Sequence, residues 1–324
     1  MRLSVITFSR NVFLPLTNVC ANACGYCSFK TPVKEGCVMS KEEVMATLKR
    51  GAEFSCTEAL FTFGERPERE EGFTRYINEA GYKDILSYCM DMSRYALSLG
   101  LLPHTNAGIL TYEEMEMLRN VNASMGLMLE TTAEVPAHEY SPGKNPAVRI
   151  EMIENAGKLK IPFTTGLLLG IGETRDDRIE SLEVIRDLHK KYGHIQEVII
   201  QNFCPKEGTD MAAFPGASTE VIADTIRLAK EILPKDVSIQ IPPNLADAST
   251  LLGLGVTDLG GVSPVTIDYI NPEHPWPALE ALKDIARGYE VKERLCIYEK
   301  YCNAEWVAPE LTGLVSRLAK RVYG

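Results

Sequence analysis

Short runs of apolar and β-branched residues alternate along the whole chain with longer segments of helical period, and few folds accept that alternation. Eight such runs stand at 12–17, 59–63, 101–106, 124–130, 161–168, 197–202, 237–241 and 258–261. Each is followed by a stretch long enough for a helix to return along the sheet, so consecutive strands run parallel. Eight βα units in 324 residues, roughly 40 residues each, predict an α/β fold: a (β/α)8 barrel of the TIM type rather than an open doubly wound sheet.

The starts of the helices carry their own signals. Ser40 with Glu43 and Thr111 with Glu114 form capping boxes, and Asn145-Pro146 joins a cap residue to a first-turn proline. In the helical segment after the fifth strand Ile179, Leu182, Ile185 and Leu188 make one stripe, opposite Asp176, Asp177, Glu180, Asp187 and Lys190. Residues 1–289 form the expected barrel. Residues 290–324 end in a helix with Leu311, Leu314, Val315, Leu318 and Val322 on one side, expected to pack on the barrel as an extension of the same domain.

Composition removes several function classes. With 34 Lys and Arg against 44 Asp and Glu the net charge is −10, and no basic run offers a footprint for nucleic acid. The longest low-polarity stretch, 161–172, is too short to span a bilayer, and the N-terminal residues lack an apolar run of signal-peptide length, so a soluble cytoplasmic protein without a membrane partner is expected. No GxGxxG string supports a dinucleotide site. Nine cysteines, three of them crowded into eight positions, do not read as a secreted disulfide framework.

The crowded three stand directly after the first strand, in Cys20-Ala-Asn-Ala-Cys24-Gly-Tyr-Cys27. Three thiolates on one short loop suit an iron–sulfur cube, and the missing fourth ligand leaves one iron open to bind something else. A zinc knuckle would need a fourth Cys or His nearby, for which Cys37 is the one local candidate. Cys56, Cys89, Cys204, Cys296 and Cys302 lack the spacing of a second cluster.

A strand, then Cys-x3-Cys-x2-Cys with an aromatic residue before the last cysteine, then a barrel: this order resembles the radical S-adenosylmethionine (SAM) superfamily. The resemblance implies a [4Fe-4S] cluster on Cys20, Cys24 and Cys27 whose open iron chelates SAM and whose electron cleaves it to a 5′-deoxyadenosyl radical. It implies further SAM contacts. Phe63-Gly64-Glu65 resembles the segment that receives the SAM ammonium, and Glu130 with Arg149 resembles the SAM-contacting pair of the biotin synthase and HydE-like branch. Gly166 to Glu173, with Gly170 and Glu173, is similar to the GxIxGxxE segment that supports adenine, and Tyr26 would set its backbone at the adenine edge.

Several strings resemble one narrower group: residues 9–18, Cys24 to Phe29, Tyr140-Ser-Pro-Gly143, Pro242-Pro-Asn-Leu245, Gly260-Gly-Val-Ser-Pro264 and residues 293–301. They are similar to the CofG-type family of 7,8-didemethyl-8-hydroxy-5-deazariboflavin (FO) synthases. One departure is Cys296, where that family is expected to have proline. The resemblance implies a small-molecule substrate, the adduct of a hydroxybenzyl group with a ribityl-diaminouracil. It implies too that a CofH-type radical SAM partner supplies the adduct, that a ferredoxin or flavodoxin supplies electrons, and that ammonia is lost as FO, the chromophore of coenzyme F420, forms.

Such a substrate needs neutral hydrogen-bonding groups at the strand ends. Asn106, Thr165, Gln201, Asn202, Gln240 and Asn244 are the expected contacts. For proton transfer His104, expected to be poised near neutral pH, is the first candidate and Tyr140 the second. His189 and His194 read as solvated groups at a helix end. Two other readings fit the same cysteines: a different enzyme of the biotin synthase, HydE and menaquinone-pathway branch, and a non-catalytic iron–sulfur protein.

Overall fold

The structure, a computed structural model, describes residues 3–36 and 38–324; Cys37, the candidate fourth ligand of a zinc site, lies outside the described residues. The strands are β1 (Val5–Pro15), β2 (Glu58–Thr62), β3 (Leu102–Asn106), β4 (Ser124–Gly126), β5 (Phe163–Leu169), β6 (Ile195–Asn202), β7 (Ser238–Gln240), β8 (Asp258–Val262) and β9 (Glu290–Arg294). They pair in the order β2-β3-β4-β5-β6-β7-β8-β1-β9, and β1 also pairs with β2. Eight parallel strands therefore close into a barrel, with the helices outside. β5 is buried along its whole length, as a strand covered on both faces must be. Side-chain caps at Ser40, Thr111 and Asn145 start the helices where the sequence places them.

The expected and observed elements differ at three places. β1 begins at Val5 rather than at residue 12, because Ile6 and Phe8 are buried and its lower half has neighbours on both edges. One of these is β9, which runs parallel to β1 from Val5↔Glu290 to Ser9↔Arg294, just below the β2 pairing that begins at Asn11↔Glu58. The C-terminal segment thus adds a strand before its helix Pro309–Val322, whose Leu311, Leu314, Val315 and Leu318 join Leu102, Ala123, Leu295 and Tyr301 in a second apolar core. β4 ends at Gly126; Glu130 returns to the sheet only as a bridge to Leu167, with φ +67°.

His189 and His194 are not solvated. His194 is fully buried with Nε2 on the Ile153 carbonyl at 2.8 Å, and His189 accepts from the Ile195 amide at 3.1 Å and meets Asp236 at 3.2 Å. Among the described residues no helix is long and apolar enough to cross a membrane.

Candidate active site

The cysteine loop leaves β1 at the C-terminal mouth of the barrel, where TIM-type enzymes build their sites. Every second amide of the loop is sewn to a neighbouring segment: Ala21 to the Glu65 carbonyl at 2.8 Å, Ala23 to that of Tyr140 at 3.1 Å, Gly25 to that of Ala137 at 2.8 Å. Gly64 permits this approach, since a Cβ there would lie 1.9 Å from the Val19 oxygen. The Glu65 amide donates to Cys20 Sγ at 3.2 Å and Ser141 Oγ donates to Cys24 Sγ at 3.3 Å, the kind of bonds that steady a metal-bound sulfur.

Cys20, Cys24 and Cys27 are half-buried and unpaired. As a free thiol Cys20 is pushed up to about 11 by burial, whereas coordination to iron deprotonates such a thiol outright. Among the described residues no three His, Cys, Asp or Glu side chains gather closely enough to hold a single ion. Three thiols on one loop, two of them already receiving hydrogen bonds at sulfur, fit a cube held at three corners.

Beside the loop lie two carboxylates and two cations. Arg149, in the first turn of the helix Pro146–Lys158, is 3% exposed; its Nη1 donates to the Gly143 carbonyl at 2.7 Å and its Nε to that of Met128. It stands 3.8 Å from Glu65 and 3.7 Å from Glu130, near enough for attraction without taking up either carboxylate's lone pairs. Lys144 donates to Glu130 and lies 5.9 Å from the centre of the Tyr26 ring. Burial pushes Glu130 up, but Lys144 and Arg149 outweigh it and hold the carboxyl below its usual range. Gly143 completes the cradle: a Cβ there would lie 1.5 Å from Glu65 Oε1, and its amide donates to Asn22 Oδ1 at 2.9 Å.

The structure thus brings Tyr26, Gly64, Glu65, Glu130 and Arg149 to one mouth. Sequence reasoning missed Lys144, Ser141 and Asn22, although Ser141 and Gly143 stand in a string it had singled out. Glu173 turns inward. It accepts from the Gly170 and Ile171 amides at 3.0 Å and pairs with Arg178 at 3.1 Å, so its carboxylate shapes the 170–173 turn. Tyr26 hydrogen-bonds His138 Nε2 through its hydroxyl at 3.1 Å.

Below the mouth the barrel lumen holds a cavity of about 190 Å³, lined by Asn11, Phe13, Leu60, His104, Asn106, Thr164, Gln201, Gln240, Asn244 and Trp276. Two of the expected contacts, Thr165 and Asn202, and one proton-transfer candidate, Tyr140, stand outside this cavity. Thr165 faces away from the lumen, its hydroxyl accepting from the Leu129 amide at 3.2 Å; alternation along β5 sends Thr164 inward instead. Asn202 lies outside this cavity and bonds the Leu245 carbonyl at 2.8 Å. The Tyr140 side chain is 70% exposed on the outer surface, so only its carbonyl serves the cysteine loop. Asn106, Gln201, Gln240 and Asn244 do line the cavity.

His104 lines it as well, but it is not poised near neutrality: burial, helped by Arg294, pushes its pKa down to about 3. Ser124 gives its hydroxyl proton to the Cys296 carbonyl at 2.8 Å, so at 2.7 Å it accepts from His104 Nδ1–H. The ring is neutral, with Nε2 left as an acceptor. Cys296 contributes this carbonyl, which also takes a bond from Gln196 at 2.8 Å.

The lumen floor is ionic. Arg294 on β9 donates to Asp258 at 2.6 and 2.8 Å and to Glu197 at 2.7 Å; Tyr298 and Thr164 add bonds to Glu197 at 3.0 and 2.9 Å, and Ser9 donates to Glu58. Two carboxylates contact one guanidinium and Glu58 feels it at longer range, while burial pushes Glu58 up to about 7. A folded pKa raised from 4.5 contributes stability that is complete below about pH 4.5 and lost as pH rises through about 7. Between pH 5 and 8 the melting temperature of Glu58→Gln is therefore expected to fall less than that of the parent protein. An equal fall in both, by calorimetry, would contradict the protonation of Glu58.

Residues 14–185 match the sequence profile of the radical SAM superfamily. The chain is 65% identical over 324 residues to the 7,8-didemethyl-8-hydroxy-5-deazariboflavin synthase of Methanoculleus marisnigri, covering 99% of this chain and 97% of that one. It is 63% identical over 318 residues to the synthase of the same name from Methanoregula boonei, covering 98% and 97%. Among solved structures, HydG, a maturase of the [FeFe]-hydrogenase, shares the fold with a TM-score of 0.70 at 15% identity, over 96% of this chain and 69% of that one. By its sequence, its closed parallel barrel and its three-cysteine loop, the chain belongs to the radical SAM superfamily, and within it to the family of 7,8-didemethyl-8-hydroxy-5-deazariboflavin synthases.

Proposed function

We propose that the protein converts 5-amino-5-(4-hydroxybenzyl)-6-(ribitylimino)-dihydrouracil to FO with loss of ammonia, as a cyclising carbon–nitrogen lyase of coenzyme F420 biosynthesis. The observation that carries this reading is the 65% identity, sustained over 99% of the chain, to a protein named for that product. The site agrees with it. A polyol-bearing heterocycle needs neutral donors and acceptors, and the cavity offers Asn106, Gln201 and Gln240, whose side-chain amides have no hydrogen-bond partner among the described residues.

Cys20, Cys24 and Cys27 hold the cluster, and bound SAM with the cluster supplies a carbon radical for hydrogen-atom abstraction. Glu65 takes the SAM ammonium and Arg149 its carboxylate, with Lys144 and Arg149 keeping Glu130 ionised as a further polar contact. Gly170 and the turn shaped by Glu173 border adenine. The barrel's work is exclusion and placement: a reactive radical takes the nearest hydrogen, so the lumen must present one C–H to it and keep water out. His104 Nε2 accepts a hydrogen bond from the substrate, and Glu58, pushed up to about 7 by burial, is a lumen carboxyl able to hold a proton near neutral pH. A CofH-type enzyme supplies the adduct, and a ferredoxin or flavodoxin supplies the electron.

Anaerobic reconstitution with SAM, reductant and the adduct tests this reading. Fluorescent FO, with 5′-deoxyadenosine and methionine, is expected; 5′-deoxyadenosine without FO would assign the barrel to another substrate, and no SAM cleavage would overturn the enzymatic reading.

A further inference from the structure

We infer that Asn11 reads a lactam edge, the adjacent C=O and N–H of a six-membered cyclic ureide, at the deep end of the lumen cavity. The inference rests on the proposed function and adds the orientation of the substrate: heterocycle down, ribityl chain toward Asn106 and Gln201 at the C-terminal ends of β3 and β6.

Asn11 stands on β1, opposite Glu58 in register, and is fully buried. Among the described residues neither Nδ2 nor Oδ1 has a hydrogen-bond partner, although the residue lines the cavity. An interior amide with both groups unpaired is costly, so such a residue on the wall of a cavity that also carries the unpaired Asn244 Oδ1 and Trp276 Nε1 marks a place where a ligand completes the bonding. The groups of the ionic floor, by contrast, are already engaged: Ser9 on Glu58, Thr164 on Glu197, Arg294 on Asp258 and Glu197. Space has been kept for the amide as well. A Cβ on Gly261 would lie 2.2 Å from Asn11 Nδ2, so glycine at this point of β8 leaves the amide its place.

The chemistry of the ligand follows from that amide. Its donor and acceptor lie side by side in one plane, and their complement is an acceptor and a donor side by side. A ring lactam fixes that arrangement cis, whereas a trans peptide directs its C=O and N–H to opposite sides. Hydroxyls of a polyol rotate and leave the plane undefined. Phe13 and Leu60, one step further along β1 and β2, supply apolar surface for the faces of a flat ring.

The test is a binding cycle on the full-length, cluster-reconstituted protein with SAM, using a ribityl-substituted aminopyrimidinedione, its ring-N-methylated derivative and the ring lacking the ribityl chain. N-methylation is expected to weaken binding to the parent protein about 10- to 100-fold. Asn11→Asp and Asn11→Ser should weaken binding of the unmethylated ring by a similar factor, and methylation should then cost these variants little more. Unchanged iron content and circular dichroism show that the fold persists. The inference is overturned if the parent does not bind the ring, if the methylation penalty survives in full in both variants, or if it is the loss of the ribityl chain to which they become insensitive. None of these readouts needs turnover, so formation of FO from the adduct judges the proposed function separately.

Discussion

Replacing Cys24 by alanine is expected to abolish turnover and to lower the iron retained after anaerobic reconstitution, while the barrel stays folded. The loop Cys20 to Cys27 is held by backbone bonds from residues 21, 23 and 25, none of which involves a cysteine side chain, so losing one thiol leaves its path intact. What is lost is a corner of the cube, together with the bond from Ser141 Oγ that steadies its sulfur. Two thiolates do not retain a four-iron cluster, and activity should fall to background rather than by a modest factor. Cys302→Ser, in the C-terminal core with its thiol directed to the carbonyls of Ile297 and Tyr298, should keep full iron content and activity. Iron analysis and FO formation check both variants; a Cys24→Ala protein with a full complement of iron would remove the cluster from this loop.

The second large effect belongs to the floor of the barrel. Arg294→Met leaves Asp258, Glu197 and Glu58 buried with no cation among them, and breaking such a group from one side typically costs about 3–5 kcal/mol. For a chain of this size that corresponds to a fall in melting temperature of roughly 5–15 °C at pH 7. The sign with pH follows from linkage: Glu58 and Glu197 are already pushed up by burial and Arg294 opposes this, so without the guanidinium they sit further above their unfolded values, and stability is lost as pH rises and partly recovered below about pH 5. Adding Glu197→Gln and Asp258→Asn should restore part of the loss at pH 7, because fewer buried charges then lack a partner. Thermal melts at pH 5 and 7 check this, and an Arg294→Met protein with parental stability at pH 7 would mean that the floor is not held by that ion group.

Much of the barrel could be read from the chain because one signal repeats in it. Apolar runs separated by capped helices specify parallel strands whatever the detail of each, and all eight expected strand regions lie in or beside observed ones. The ends were less legible. β1 begins earlier because β9, nearly three hundred residues away, pairs with it, and no local pattern announces such a partner. Parity was hidden too: β5 is buried on both faces, so hydrophobicity gives no clue that Thr164 enters the lumen and Thr165 does not.

The site divides along the same line. Cys20, Cys24 and Cys27 share one loop, and their chemistry is local in sequence. The ionic floor takes Glu58, Glu197, Asp258 and Arg294 from four different strands, and each alone reads as an ordinary polar residue at a strand end. Burial also reverses a reactivity that residue type alone suggests. His104, the natural choice for a neutral-pH base, is pushed down to about 3, while Glu58 is pushed up to about 7. Tyr140 lends its carbonyl to the cysteine loop and leaves its ring in solvent.

The most direct measurement is electron paramagnetic resonance with electron–nuclear double resonance on the reduced, reconstituted protein, before and after addition of SAM labelled with 17O in the carboxylate and 15N in the amino group. A cube held by three protein thiolates should show hyperfine coupling to both labels, and the coupling should weaken or vanish when Arg149 or Glu65 is replaced. A cluster whose spectrum ignores SAM, with every iron already ligated by protein, would contradict it.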